Sequence, residues 1–303
     1  ERNFRAFSSF IQLTEIKISM GFECIRFETG EGIARIFFNR SERLNAFNRQ
    51  MLKELRTVLD KCAEDPQVRV ILITGTGRGF CAGQDLTERK NENGELPRDL
   101  GKSLEENYHP LIRSLRTMGK PIVCAVNGVA AGAGASFVLA CDLVIAAKSA
   151  SFIQAFSRIG LTPDCGSSYF LPRLVGEAKA RALALTGDQI DAETAERWGM
   201  IWQCVPDEEL QTQSESVALK LSKKAPLASA ETKKLLQQSH GRSLEEQLQL
   251  EGQTQQKMGM TEDYREGVQA FLENVSLDLR GNDRKYGIYE IDVKNQHGLT
   301  VAL

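Results

Sequence analysis

The chain is poor in the side chains that much metal and nucleophile chemistry draws on. Only three histidines (109, 240 and 297) occur in 303 residues, with no H-E-x-x-H pair, so no metal site is expected. Neither G-x-x-x-x-G-K-[ST] nor G-x-S-x-G is present. That removes the phosphate loop of nucleotide hydrolases and the nucleophile elbow of esterases. No apolar run of about 18 residues occurs, so no membrane-spanning helix is expected. A net charge of −2 supplies no field toward nucleic acid, and phosphates must be met by local groups. Seven cysteines stand at 24, 62, 81, 124, 141, 165 and 204. Their number is odd, no C-x-x-C occurs, and several sit in apolar runs; this reads as reduced core thiols of a cytoplasmic protein.

What is present is an alternation of β-type and helical patterns, an α/β class. Residues 24–28 and 33–38 predict a hairpin about the Gly30-Glu31-Gly32 turn. Residues 48–64 carry Met51, Leu52, Leu55, Val58, Leu59 and Cys62 as a helical stripe. Residues 68–73 form an apolar run of buried-strand type, broken only by Arg69. Strand-then-helix returns at 122–126 with 131–140, followed by a strand at 143–147. From Gly176 the pattern is almost wholly helical, with candidates at 177–185, 192–198, 210–222, 227–238, 243–258 and 261–272.

The ends differ from this middle. Residues 1–19 precede Met20-Gly21, which reads as a natural start; Arg2, Arg5, Ser8 and Ser9 suit a transit peptide, but Glu1 and Glu15 do not. They are expected to be a tail, as are residues 282–303. The core is expected over 20–206 and a helical part over 207–281.

Three stretches hold more Gly and Ala than packing requires. Thr74-Gly75-Thr76-Gly77-Arg78-Gly79-Phe80-Cys81-Ala82-Gly83-Gln84-Asp85-Leu86 leaves a buried strand, and its glycines allow a tight turn and close approach to a ligand. Asn127-Gly128-Val129-Ala130-Ala131-Gly132-Ala133-Gly134-Ala135-Ser136 opens a helix, whose first amides favour negative charge. Gly160-Leu161-Thr162-Pro163-Asp164-Cys165-Gly166 sets one acid among small and apolar residues. Each has a plain alternative: a tight connection for either loop, an N-cap for Asp164. Together, two amide-rich loops and one acid suit the stabilisation of an oxyanion.

In this order and spacing, and with Ser41-Glu42-Arg43-Leu44-Asn45-Ala46-Phe47, the segments resemble the crotonase (enoyl-CoA hydratase/isomerase) family over about residues 21–281. Within it, Gly79–Leu86, Asn127–Gly134 and Pro163-Asp164-Cys165-Gly166 are most similar to ring-epoxide isomerases acting on phenylacetyl-CoA derivatives. The resemblance implies a spiral of ββα turns with a helical C-terminal part that packs homotrimers, often paired into dimers of trimers. It implies an acyl-CoA substrate, with no cofactor apart from the CoA of that substrate. The Gln84 and Ala133 amides would hold the thioester oxygen, and Asp164 would act as general acid/base if burial raises its pKa. Substrate contacts are implied at Ala46, Ala82, Gly83, Gln84, Asp85, Leu86, Gly132 and Phe156.

The departures sharpen the reading. The two glutamates with which hydratases of the family handle water fall on Ser136 and Phe156, so isomerisation is favoured over hydration. An aspartyl-nucleophile dehalogenase would place its histidine at His109 and a tryptophan at Phe156; a surface or capping role for His109 is the plainer reading. A CoA- or RNA-binding member without turnover is the alternative from another class. Phe152, Phe156, Tyr169 and Phe170 are either an aromatic-accepting pocket or plain core.

Overall fold

The computed structural model describes residues 17–18, 21–89, 99–273 and 279. The chain begins with β1 (Lys17–Ile18), β2 (Ile25–Gly30) and β3 (Ile33–Phe38). Glu31 and Gly32, both at positive φ (56° and 76°), make the two-residue turn that suits the twist of an antiparallel pair. Helix α1 (Arg49–Glu64) follows; Asn48 caps it by accepting from the Met51 amide at 2.8 Å. Its expected stripe, Met51 to Cys62, is buried.

Strands then alternate between two sheets. β4 (Val70–Gly75) is followed by β5 (Gly79–Cys81), then by α2 (Leu100–Ser103) and α3 (His109–Thr117). β6 (Ile122–Val126) leads to β7 (Val129–Ala131) and α4 (Ala133–Ala140). β8 (Leu143–Ala147) leads to β9 (Ser151–Ile153), α5 (Ser167–Val175) and α6 (Glu177–Thr186). β10 (Gln189–Asp191), α7 (Ala192–Arg197), β11 (Gln203–Val205) and α8 (Leu210–Ser222) complete the unit. The larger sheet runs β1-β2-β3-β4-β6-β8-β11 and the smaller β10-β9-β7-β5. Each ββα turn therefore gives one strand to each sheet, the spiral that the resemblance implied. The parallel strands are buried on both faces, which is why β4 and β6 read as unbroken apolar runs.

Five short strands depart from expectation, among them β9 at Ser151–Ile153, where no element was expected. β5 and β7 lie in stretches read as loops, and β10 and β11 in a half read as helical. Three residues are too few to show a period, and their bonding comes from neighbouring strands. The first compact unit runs to Ser222; α8 packs on β4, β6 and β8, so the core reaches beyond residue 206. Lys17 and Ile18 pair with Thr29 and Glu28, which makes that piece of the expected tail a sheet edge. Residues 1–16, 19–20 and 282–303 lie outside the described residues.

The second unit holds α9 (Pro226–Ser239), α10 (Leu244–Met258) and α11 (Glu262–Leu272). Ser243 and Glu246 form a capping box for α10, and Thr261 caps α11. All seven cysteines are free, six of them buried, as reduced core thiols. Among the described residues no helix is long and apolar enough to cross a membrane.

Candidate active site

Residues 44–47 run alongside residues 82–85. The Ala82 amide donates to Leu44 O (2.9 Å), Phe47 to Gly83 O (2.7 Å) and Asp85 to Phe47 O (2.9 Å). These bonds alternate along the segment, so the Gln84 amide, in the parallel bridge with Phe47, points to the other side. Asn45 anchors the bend: its Nδ2 donates to Thr76 O (2.9 Å) and Gly79 O (2.8 Å), and its Oδ1 accepts from the Arg40 amide (2.8 Å).

The second loop ends at the start of α4. Gly132 (φ 50°, ψ −123°) precedes the helix without a side-chain cap. Ser136 closes the first bond back, from its amide to Gly132 O at 2.9 Å. The Ala133, Gly134 and Ala135 amides thus precede the intrahelical ladder, at the positive end of the dipole. Two glycines bring the loops together. A Cβ on Gly83 (φ 94°) would lie 2.8 Å from Ala131 O and 3.5 Å from Ala133 N; one on Gly134 would overlap Cys81 O. Beneath them Phe38, Phe47, Phe80 and Phe137 meet with centroids 5.1–6.5 Å apart, clamping β5 to α4.

Asp164 sits half-buried at the start of a tight turn, with its Oδ1 shielded from solvent. Cys165 (φ 52°) and Gly166 (φ 82°) are both left-handed, and the Ser167 amide closes the turn on Asp164 O at 2.9 Å. Asp164 is therefore not the N-cap of α5, a place taken by Gly166. Burial, then the charge and hydrogen bonding of Asp164, push the Cys165 thiol far up. It stays protonated beside the carboxylate. Cys165 and Cys81 both lie in the buried core, and burial pushes the Cys81 thiol up to about 12. The strand before Gln84 and the start of α4 are thus neighbours, and the acid's turn leads into α5, which packs on α4. Amides of this kind can hold an oxyanion, and a carboxylate nearby can move a proton.

Other expected residues have different surroundings. Ser136 is fully buried, its hydroxyl on Gly132 O at 3.2 Å. Phe156 is buried on a 3-10 turn, Ala155–Ile159. Neither position carries a carboxylate. Ala46 is buried with its carbonyl accepting from Arg40, Ala82 and Gly132 are half-buried, and Leu86 is exposed on the turn Leu86–Arg89. Of the four aromatics, Phe156 is buried and Tyr169 meets Phe170 edge to face at 5.3 Å. Phe152 is core, whereas Tyr169 is exposed beneath the Arg173 guanidinium at 3.6 Å and Arg116 lies over Phe170. His109 Nδ1 lies 3.1 Å from Glu105 Oε1 at a helix surface, as the plainer reading holds. Among the described residues no group of three or more His, Cys, Asp or Glu could hold a metal ion.

The Asp85 carboxylate binds the protein itself, accepting from Thr87 Oγ1 at 2.6 Å and Arg40 Nη2 at 2.9 Å. Burial alone would raise its pKa, but the hydrogen bonds from Thr87 and Arg40 outweigh that and lower it. A carboxylate with a depressed folded pKa contributes stability above its unfolded value, and that contribution is lost as pH falls through the folded value. Asp85→Asn is expected to cost about 1–3 kcal/mol at neutral pH. In denaturant titrations the gap from wild type should close below roughly pH 4; a gap independent of pH would contradict the assignment.

Sequence reasoning missed Arg40, Gln154 and Ser167. Gln154 is 2% exposed and accepts from the buried Ser167 hydroxyl at 2.7 Å. Its available signal was a lone amide inside the apolar run Phe152-Ile153-Gln154-Ala155-Phe156.

Comparison with known proteins agrees with this geometry. Residues 28–282 match the family model described as enoyl-CoA hydratase/isomerase. The 1,2-epoxyphenylacetyl-CoA isomerase of Escherichia coli is 46% identical over 252 residues, covering 83% of this chain and 96% of that protein. A protein of Rhodobacter capsulatus described as a probable enoyl-CoA hydratase is 43% identical, covering 84% and 96%. The crystal structure of an enoyl-CoA hydratase from Bacillus anthracis superposes with a TM-score of 0.79 at 30% identity, covering 83% and 97%. With the two-sheet spiral, the facing amide loops and a family match over most of its length, the chain belongs to the enoyl-CoA hydratase/isomerase family.

Proposed function

We propose that the protein isomerises an acyl-CoA thioester, namely 2-(1,2-epoxy-1,2-dihydrophenyl)acetyl-CoA, to the ring-expanded oxepin-CoA. The observation that carries this reading is the placement of carboxylates. Asp164 is half-buried in the turn that leads into α5, which packs on α4, while the positions where hydratases carry water-handling glutamates hold a buried serine and a buried phenylalanine. The likeness to the E. coli isomerase supports the choice of substrate.

The thioester oxygen accepts from the Gln84 and Ala133 amides, which makes the α-carbon acidic. Asp164 takes the α-proton and the enolate charge rests on the oxygen held by the two amides; the ring C–C bond shared with the epoxide opens as the π electrons shift, giving the seven-membered oxepin, and Asp164 returns the proton at a ring carbon. Atoms balance without water, and proton transfer needs no metal or redox group. The CoA nucleotide would lie along the backbone near Ala46 and residues 82–86.

Incubation with the ring-epoxide ester, a 3-enoyl-CoA and a 2-enoyl-CoA, followed by mass and ultraviolet absorbance, tests this. Same-mass conversion of the first is the expected result. Same-mass conversion of only the 3-enoyl ester would replace the substrate, and a gain of one water on the 2-enoyl ester would replace isomerisation by hydration.

The proposal extends to assembly as a homotrimer or a dimer of trimers through the helical unit. Leu227, Leu236, Leu244, Phe271 and Leu272 stand exposed there, and an apolar cavity of about 790 Å³ opens among Leu235, Leu236, Met258, Tyr264, Val268 and Phe271. Light scattering is expected to give about three or six times the 33.7 kDa chain mass; a monomer at micromolar concentration would contradict it.

A further inference from the structure

The geometry points to Gln154 and Ser167 as a positioning pair that fixes the Asp164 turn relative to the start of α4. The inference rests on the reading of Asp164 as the proton carrier. Three hydrogen bonds form an unbroken path between the two parts of the site. The Gly132 amide, one residue before Ala133, donates to Ile153 O at 2.9 Å. Gln154 follows Ile153 directly, and its Oε1 accepts from Ser167 Oγ at 2.7 Å. The Ser167 amide then closes the turn on Asp164 O at 2.9 Å.

The pair is hidden from water: Gln154 is 2% exposed and Ser167 fully buried. A hydrogen bond in such surroundings has no competing solvent and holds its geometry tightly. The turn it steadies needs holding, because Cys165 is a non-glycine residue at φ 52°, a conformation that persists only where neighbours over-determine it.

Stability alone is a poor explanation for the pair. Among the described residues Gln154 Nε2 is buried without a hydrogen-bond partner, and a half-satisfied buried amide is less favourable than an apolar side chain of the same size. The amide therefore serves the placing of Asp164 rather than the holding of the core.

Gln154→Met, which keeps length and volume, and Ser167→Ala test this. Each is expected to lower kcat on the ring-epoxide ester by on the order of 10- to 100-fold, as for a small misplacement of a reacting group. KM should stay within about three-fold, since no CoA contact is touched. The double variant should be no slower than the slower single, because both substitutions break one path. The Tm of Gln154→Met should be unchanged or higher. A kcat equal to wild type would overturn the inference, as would a loss that tracks a falling Tm. Full activity of Asp164→Asn on whichever ester the wild type isomerises, or isomerisation of none of the esters by the wild type, would overturn the proton-carrier reading and this inference with it.

Discussion

Asp164→Asn should lower turnover by about 10²–10⁴-fold, the range that a positioned general acid/base contributes, while binding of the CoA ester stays close to wild type. The substitution changes one atom. The turn is closed by backbone groups, Ser167 N–H to Asp164 O, and those remain. The neighbouring Cys165 thiol is held protonated by burial and by the Asp164 carboxylate; it can still donate to the amide oxygen. What disappears is the capacity to accept a proton. Single-turnover kinetics with a parallel calorimetric titration of a non-reacting acyl-CoA separates the two effects. Weakened binding with unaltered chemistry would show that Asp164 serves the ligand rather than the proton.

Ala133→Pro should lower kcat/KM by about 10²–10³-fold through loss of one oxyanion donor. Proline is well tolerated at the first position of a helix, where the amide has no intrahelical partner. Ala133 is that residue in α4, so the helix should persist. The ring would remove the N–H and place a methylene where the donor pointed. Because the thioester oxygen meets this amide before as well as after the proton moves, KM should also rise. Unchanged thermal unfolding with unchanged turnover would reject the assignment; lost turnover with intact unfolding supports it.

The legibility of this fold in its sequence followed the length of each signal. The hairpin turn, the stripe from Met51 to Cys62 and the unbroken strands β4 and β6 all appeared where periodicity places them. The helices Leu210–Ser222, Leu244–Met258 and Glu262–Leu272 did too, because their caps, Ser243 and Thr261 in the last two, are local chemistry. β5, β7, β9, β10 and β11 were not legible, being three residues long and defined by partners distant in sequence.

The site divided in the same way. Its amide loops announced themselves through glycines at Gly83 and Gly134, where a side chain has no room. Asp85 was legible only as part of a motif; its carboxylate proves to be tied to Arg40 and Thr87. The pairing of Gln154 with Ser167 was illegible, since it spans thirteen residues; only the lone amide in an apolar run marked Gln154.

The most direct measurement is turnover of the ring-epoxide ester in D2O by wild type and by Asp164→Asn, with the products read by mass spectrometry and proton NMR. The account predicts an isomerised product from the wild type, changed in mass only by deuterium at the carbon that receives the proton, and neither product nor α-carbon exchange from the variant. A product heavier by one water, or equal conversion and exchange by Asp164→Asn, would contradict it.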